Sequence, residues 1–384
     1  MELSKRPSLA FGLGGLAVAA ATAAVLAGVP AAERPGPVPP PRQTPGQTPP
    51  PTPGQPAASP PRLAIDGPRF TIDGTPRFLV LVSYFDALRA SDAVLEADFA
   101  WLRQHGIDGL RIFPNWWRCE EVRRCGGHPG PDTLLAPDGR VRPERLARLR
   151  QVLAKAAQHR LVIDLSFARE TVRDAQGTMP AAAQYANGLA AALKALGALP
   201  HVMVDIQNEV YQNRLYAEKA AEDAPKVAAL TARLTAKGRI VFVSTNSPEA
   251  ERYVYRGGAG ACPAGAAPSD VIAVHDAREP NWHDRTPAVV RELVAMAARR
   301  GPRPIYLQEP MAWQDERSPD RLERFLDAAA RAKRAGAAAW TFHTRSAFIL
   351  RDGRSLQAQM SADERRFVER VRARVDAAAP TPVP

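Results

Sequence analysis

Cysteine is nearly missing from this chain, with three in 384 residues. They allow at most one bridge. Cys119 and Cys125 are close enough in sequence to close a small loop if the protein is exported, and Cys262 then stands alone as a free thiol. A metal held by Cys119, Cys125 and His128 would need a fourth ligand, and none is obvious. There is no set of three strand-end carboxylates and no histidine pair at ligand spacing, so neither a metal nor another cofactor is expected. No glycine-rich phosphate loop follows an early strand, which argues against a doubly wound nucleotide-binding sheet. Acidic residues fall short of basic ones, 40 against 51, giving a net charge of +11. Yet the arginines are scattered, as in Arg145, Arg148 and Arg150 of one helical pattern, and no basic stripe is interleaved with aromatics. They read mainly as solvated helix faces. Nucleic acid is not an expected partner, and affinity for anionic surfaces or acidic polymers is the lesser reading.

What is present begins with a segmented N-terminus. Lys5 and Arg6 precede an uncharged stretch from Pro7 to Val29, followed by Pro30-Ala31-Ala32. Residues 1–32 therefore read as a secretory signal, with a retained membrane anchor through residues 7–29 as the alternative. Either sends the rest of the chain across the membrane, so an exported protein is expected, secreted, periplasmic or tethered. Residues 33–62 are dominated by proline, and Thr44-Pro45-Gly46-Gln47 recurs as Thr52-Pro53-Gly54-Gln55. Such a tract builds no core and favours an extended linker of ~3.1 Å per residue.

The chain is 45% hydrophobic, ample for one large core, and from Leu63 onward it alternates short apolar runs with longer amphipathic ones. A hairpin is expected first, with Phe70–Ile72 and Arg77-Phe78 flanking Asp73-Gly74. Eight strand cores follow: Phe78–Val82, Gly109–Phe113, Leu161–Leu165, Val202–Ile206, Ile240–Ser244, Val271–Val274, Pro304–Leu307 and Ala338–Phe342. Helical patterns separate them, three opening on a proline at Pro143, Pro287 and Pro319. Strands rich in Val, Ile and Leu suit a parallel sheet buried on both faces. Eight strand–helix units in one domain over residues 63–384 predict an α/β fold of the (β/α)8 (TIM) barrel type.

In such a barrel the reactive groups come from the C-terminal strand ends. Two apolar runs a hundred residues apart end in glutamate: His201–Gln207 leads to Asn208-Glu209, and Pro304–Gln308 leads to Glu309. Two facing carboxyl groups are the minimum apparatus for cleaving a glycosidic bond. With retention, one protonated carboxyl assists the leaving oxygen and one carboxylate attacks the anomeric carbon. Arg111 is placed to keep one carboxylate ionised, Asn208 to bind a sugar hydroxyl, and Trp340 to offer a flat face to a sugar ring. His275 ends another strand, and Trp116, Trp117 and Trp313 could extend a platform along a polymer. Taken singly, each has a plainer reading: a glutamate before a helix stabilises its N-terminus, a buried arginine makes a salt bridge, and a tryptophan packs. Their joint placement at strand ends is what points to chemistry.

These residues resemble clan A glycoside hydrolases, most closely the family 5 enzymes of cellulase and endomannanase type. The resemblance spans about Leu63 to Ala377 and rests on the Asp73-Gly74 hairpin, Gly109-Leu110-Arg111-Ile112-Phe113, Asn208-Glu209, His275, Gln308-Glu309 and Trp340. It implies Glu209 as acid/base and Glu309 as nucleophile. Arg111 would pair with the nucleophile, Asn208 would bind the 2-hydroxyl, Trp340 would stack on the attacked sugar, and His275 would be a polar contact nearby. The pattern departs at Val210, where the family has Pro, at Ala277, where it often has Tyr, and at strand 3, where Ser166–Arg169 stands in place of a His. The implied function is retaining hydrolysis of a β-linked poly- or oligosaccharide by a monomer, with a carbohydrate as the partner. A non-catalytic envelope-associated glycan-binding barrel and a transglycosylase are the alternatives.

Overall fold

The computed structural model describes residues 59–116, 133–169, 172, 180–208, 229–230, 233–234, 238–245, 269–275, 278–299, 301–350 and 353–379. The chain divides into Met1–Gln47 and Thr48–Pro384, and only the second unit contains described residues. The N-terminal segment through Val29, the three cysteines and His128 therefore lie outside them. Among the described residues no helix is long and apolar enough to cross a membrane.

Strands β1 (Leu63–Asp66), β2 (Arg69–Ile72) and β3 (Thr75–Arg77) form a small antiparallel sheet. Its Asp73-Gly74 turn has positive φ at both residues, +52° and +80°, as a two-residue hairpin of matching twist requires. Residues 59–62, the end of the proline-rich tract, already lie on the domain: the Arg62 amide donates to Asp73 and Arg160 donates to the Ser59 carbonyl.

The barrel strands are β4 (Leu79–Ser83), β5 (Gly109–Ile112), β6 (Val162–Ser166), β7 (Val202–Asp205), β8 (Ile240–Phe242), β9 (Ser244–Thr245), β10 (Ile272–His275), β11 (Ile305–Glu309) and β12 (Ala339–Phe342). Neighbours from β4 through β8 pair in parallel, as do β9 through β12, and β12 pairs with β4. Because β8 and β9 are two pieces of one strand interrupted at Val243, the ring is an eight-stranded parallel barrel. All eight expected strands are present, each within two residues of its expected bounds. Helices α1 (Asp92–Gln104), α2 (Pro143–Gln158), α3 (Ala182–Leu196), α4 (Trp282–Ala298), α5 (Arg321–Arg334), α6 (Leu356–Gln359) and α7 (Ala362–Asp376) flank it. Two expectations are corrected: Pro319 lies just before α5, which opens at Arg321, and Pro287 lies inside α4, which starts five residues earlier. The fully buried Trp282 sets that start, its indole N–H donating to Glu316 and its ring packing on Phe325.

Period-two alternation divides the side chains. Val80, Val82, Ile163, Leu165, Val202, Val204, Trp340 and Phe342 point outward into the layer shared with the helices. Leu79, Leu81, Val162, Met203, Phe242, Ala273, Tyr306 and Ala339 fill the lower interior, plugged from below by Leu63 and Phe70 of the small sheet. Gly109 belongs to this interior. A Cβ there would lie 2.3 Å from the Val162 carbonyl oxygen, a contact backbone cannot relieve. Gly109→Ala should therefore cost about 1–3 kcal/mol of stability, read as a lower melting temperature. An unchanged melting temperature would mean that the β5–β6 spacing is looser than the geometry states.

Candidate active site

Above the apolar plug the same alternation delivers polar side chains to the upper interior: Ser83 from β4, Arg111 from β5, Asp164 and Ser166 from β6, Asp205 from β7 and Thr341 from β12. One strand breaks the rule. β10 pairs Val274 with Leu307 but His275 with Glu309, so β11 carries an extra residue at this point. The bulge turns both Gln308 and Glu309 toward the barrel axis, where strict alternation would admit only one.

Arg111 sits at the centre and is fully buried. Its Nε donates to Ser166 Oγ at 2.9 Å, one terminal nitrogen donates to Glu309 Oε1, and the other donates to Asn208 Oδ1 at 2.5 Å. Its guanidinium lies 4.7 Å from the ring centre of Phe113 and 5.4 Å from that of Phe85. Asp164 and Asp205 approach it at 3.6 and 3.9 Å. Glu309 is met on its second oxygen by Arg278 at 3.2 Å, His343 Nε2 at 3.4 Å and His275 Nδ1 at 3.7 Å.

Below these groups lies a closed hydrogen-bond lattice. The Gln308 amide nitrogen donates to Asp164 at 2.7 Å and to Asp205 at 3.1 Å, which fixes its orientation and turns Oε1 toward His275. His275 Nε2 therefore carries a proton and donates to that oxygen at 2.8 Å. Tyr306 donates to Asp164, and Ser244 Oγ donates to Asp205. If the Ser83 hydroxyl donates to His343 Nδ1, at 3.0 Å, the neutral ring presents Nε2–H to Glu309.

These environments push the titrating groups apart. Burial raises Glu309, but the opposing effects of His275, His343 and Arg111 outweigh it and leave the carboxyl well below the ordinary glutamate range. Burial pushes His343 down to about 3, so that ring is neutral near neutral pH. The permanent positive charge that holds Glu309 ionised is then the guanidinium of Arg111, with Arg278 beside it. Burial, followed by the charge of Asp164, lifts Asp205 to about 6; burial also raises Asp164, against the pull of Arg111.

The structure thus brings together Arg111, Asn208, His275 and Glu309, four of the residues singled out by sequence. Glu209 and Trp117 lie outside the described residues. Trp340 and Trp313 do not face the opening. Trp340 is an outward-pointing residue of β12, fully buried against Phe325 and Phe367, and Trp313 is buried against Phe325 and Phe342. The alternation that points Trp340 outward points His343 inward, so His343 takes the place expected of Trp340. Trp116 is half-buried at the rim, its indole N–H donating to Phe348, in a wall with Phe85, Phe113 and Phe348. Sequence reasoning also missed Asp164, Asp205 and Arg278. The two aspartates were legible, since each breaks an apolar strand at an inward position. A cavity of about 600 Å³ lined by Phe78, Val294, Ala297, Ala338 and Arg372 lies at the opposite, N-terminal end of the strands, remote from this chemistry.

No protein-family model matches the sequence, and no curated protein is significantly similar to it. Solved structures with the same fold do match. The β-mannanase of the blue mussel Mytilus edulis superposes with a TM-score of 0.51 at 14% identity, covering 84% of this chain and 99% of that one. The endo-1,4-β-mannanase of Rhizomucor miehei gives 0.56 at 12%, covering 83% and 99%. The mannotriose complex of the Thermomonospora fusca β-mannanase gives 0.51 at 15%, covering 81% and 95%. At these identities the likeness is one of fold.

Two outcomes follow from the site. Arg111→Met would leave Glu309 buried without its permanent partner and should cost about 3–5 kcal/mol in denaturant unfolding; a loss under ~1 kcal/mol would show that Arg278 alone suffices. For His343, the unfolded ring takes up a proton below about pH 6.5 while the folded ring stays neutral down to about 3, so stability falls as pH falls through that window. His201, also lowered by burial, and Glu309 act in the same direction, whereas Asp205, lifted to about 6, and Asp164, raised by burial, act in the opposite one. His343→Gln should therefore lose stability less steeply between about pH 6.5 and 4.5, by up to ~1.4 kcal/mol per pH unit; parallel curves would mean the ring is protonated in the folded protein.

Proposed function

We propose that this protein is a retaining glycoside hydrolase that cleaves a β-linked poly- or oligosaccharide, with Glu309 as nucleophile and Glu209 as acid/base. The observation that carries the reading is a single guanidinium, Arg111, bonded at once to Glu309 on β11 and to Asn208 after β7. That bridge fixes the relative position of two strand ends, one bearing the carboxylate and the other leading directly into Glu209.

The chemistry follows from the geometry. A nucleophilic carboxylate must be ionised before the sugar arrives, and the charge on Arg111 keeps Glu309 so. Glu309 Oε1 is bonded to Arg111, and Oε2, approached by Arg278, His343 and His275 at 3.2–3.7 Å, is the oxygen that would attack the anomeric carbon. Glu209 would donate a proton to the departing oxygen and then, as a carboxylate, take one from the incoming water. Arg111 occupies Asn208 Oδ1, leaving the amide NH2 to donate to a sugar hydroxyl beside the reacting carbon. Trp116 and its aromatic neighbours offer apolar rim area for a sugar face. The solved structures of the same fold include three β-mannanases, which supports a β-linked hexose polymer as substrate. Export belongs to the same proposal: the uncharged stretch from Pro7 to Val29 and the proline tract after it would place a monomeric barrel outside the cytoplasm, free or tethered.

The test is reducing-sugar release on β-mannans, β-glucans, xylan, β-galactans and β-linked uronans, with Glu209→Ala and Glu309→Ala beside the wild type. Release should fall ~10²–10⁴-fold for Glu209→Ala and at least as far for Glu309→Ala. A fluorosugar substrate that traps the covalent intermediate should label Glu309. Cleavage that survives both substitutions would sink the proposal.

A further inference from the structure

Arg278 and Arg345 are not explained by hydrolysis of a neutral sugar. They lie on the loops after β10 and β12, on either side of the loop after β11, and both bind the carboxylate of Asp315 on that loop, at 3.1 and 2.7 Å. Arg278 also reaches Glu309 Oε2 at 3.2 Å. Both guanidiniums are substantially open to solvent, with side chains 41% and 44% exposed, whereas Asp315 is 28% exposed. Two cations thus share one half-buried carboxylate, and one of them, Arg278, also touches the oxygen assigned to the attack.

The pair is held rather than loose. Glu364, 3% exposed at the start of α7, accepts hydrogen bonds from Gln314 on one loop and from Thr344 and Ser346 on the other. The Arg345 amide donates to Gln314 Oε1. On the far side of Asp315, Glu316 is fixed by the Trp282 indole and the Ser318 amide. The backbone that carries Asp315 and Arg345 is therefore anchored on both sides, while the guanidinium ends remain accessible. Such preorganised forks match a planar carboxylate in two-pronged fashion. A neutral glycan would have no use for them and would have to approach Glu309 Oε2 past Arg278. An anionic group on the sugar would draw Arg278 from Glu309 and free that oxygen for attack. The chain's net charge of +11 favours the approach of an acidic polymer.

From this arrangement we infer that the substrate is an acidic β-glycan, and that Arg278 and Arg345 bind a carboxylate carried by a sugar at or next to the attacked one. The inference deepens the hydrolase reading and rests on it for the identity of the site, but its test is a binding measurement independent of turnover.

The probes are β-1,4-mannan and β-1,4-mannuronan oligosaccharides, and the corresponding glucan and glucuronan pair, which differ only in a carboxylate for a hydroxymethyl group. Calorimetric titration into the full protein should show the acidic member of at least one pair binding ~10-fold or more tightly than its neutral counterpart, an advantage that shrinks with added salt. Arg345→Ala should abolish that advantage, and Arg278→Ala should do so as well. Arg370→Ala, which removes another exposed cation, paired to Glu323 on the helical surface, should keep it. Melting temperatures establish that each variant is folded. Equal binding of acidic and neutral members in both pairs, no binding of either acid, or an advantage retained in Arg345→Ala would overturn the inference. Strong acid-selective binding without turnover or labelling of Glu309 would instead overturn the hydrolase reading and leave the carboxylate site standing.

Discussion

A buried guanidinium is stable only when its N–H edges find acceptors and its charge finds a counter-charge, and the upper half of this barrel is arranged around meeting that requirement for Arg111. Ser166, Asn208 and Glu309 take its hydrogen bonds, Asp164 and Asp205 flank it, and Phe85 and Phe113 offer ring faces. These partners come from β4, β5, β6, β7 and β11 or the segments that follow them, so one side chain ties together strands distant in sequence. It also decides the ionisation of the site. Without a permanent cation, a carboxyl as buried as Glu309 would be pushed toward its neutral form.

The layers beneath and around this centre divide the work of positioning. Below it, Gln308 links Asp164, Asp205 and His275, and its amide polarity fixes which nitrogen of His275 holds the proton. Around it, the tryptophans carry weight instead of touching the opening. Trp282 and Trp313 seat the loop after β11 against the helices, and Trp340 secures β12 through Phe325 and Phe367. Large apolar rings in the layer between barrel and helices bury far more area than they could at a rim. On the open side, Arg278, Asp315 and Arg345 add a polar, charged border to the half-buried aromatic wall at Trp116.

How much of this was readable from the chain depends on how local each signal is. The Asp73-Gly74 hairpin and all eight strand cores were legible because turn chemistry and apolar runs are local properties. Arg111, Asn208, His275 and Glu309 were legible through their joint placement at the ends of apolar runs, since each taken singly has a plainer reading. Trp340 was misplaced because strand ends were read without their parity. Counting alternation outward from Ala339, an interior residue, would have put Trp340 outside and His343 inside.

Composition, strand–helix alternation and the polar strand ends were enough to determine the barrel, its eight-fold order and the end of it where the buried charged cluster lies. Each follows from short-range preference and from the requirement that parallel strands be buried on both faces. Tertiary structure alone decided the rest. The extra residue in β11, visible only in its pairing with β10, turns Gln308 and Glu309 inward together. Ring closure brings Glu309 to Arg111 across 198 positions of sequence. Three loops meet so that Arg278 and Arg345 share Asp315. Register, closure and charge sharing are relations between segments far apart in the chain, and no local pattern encodes them.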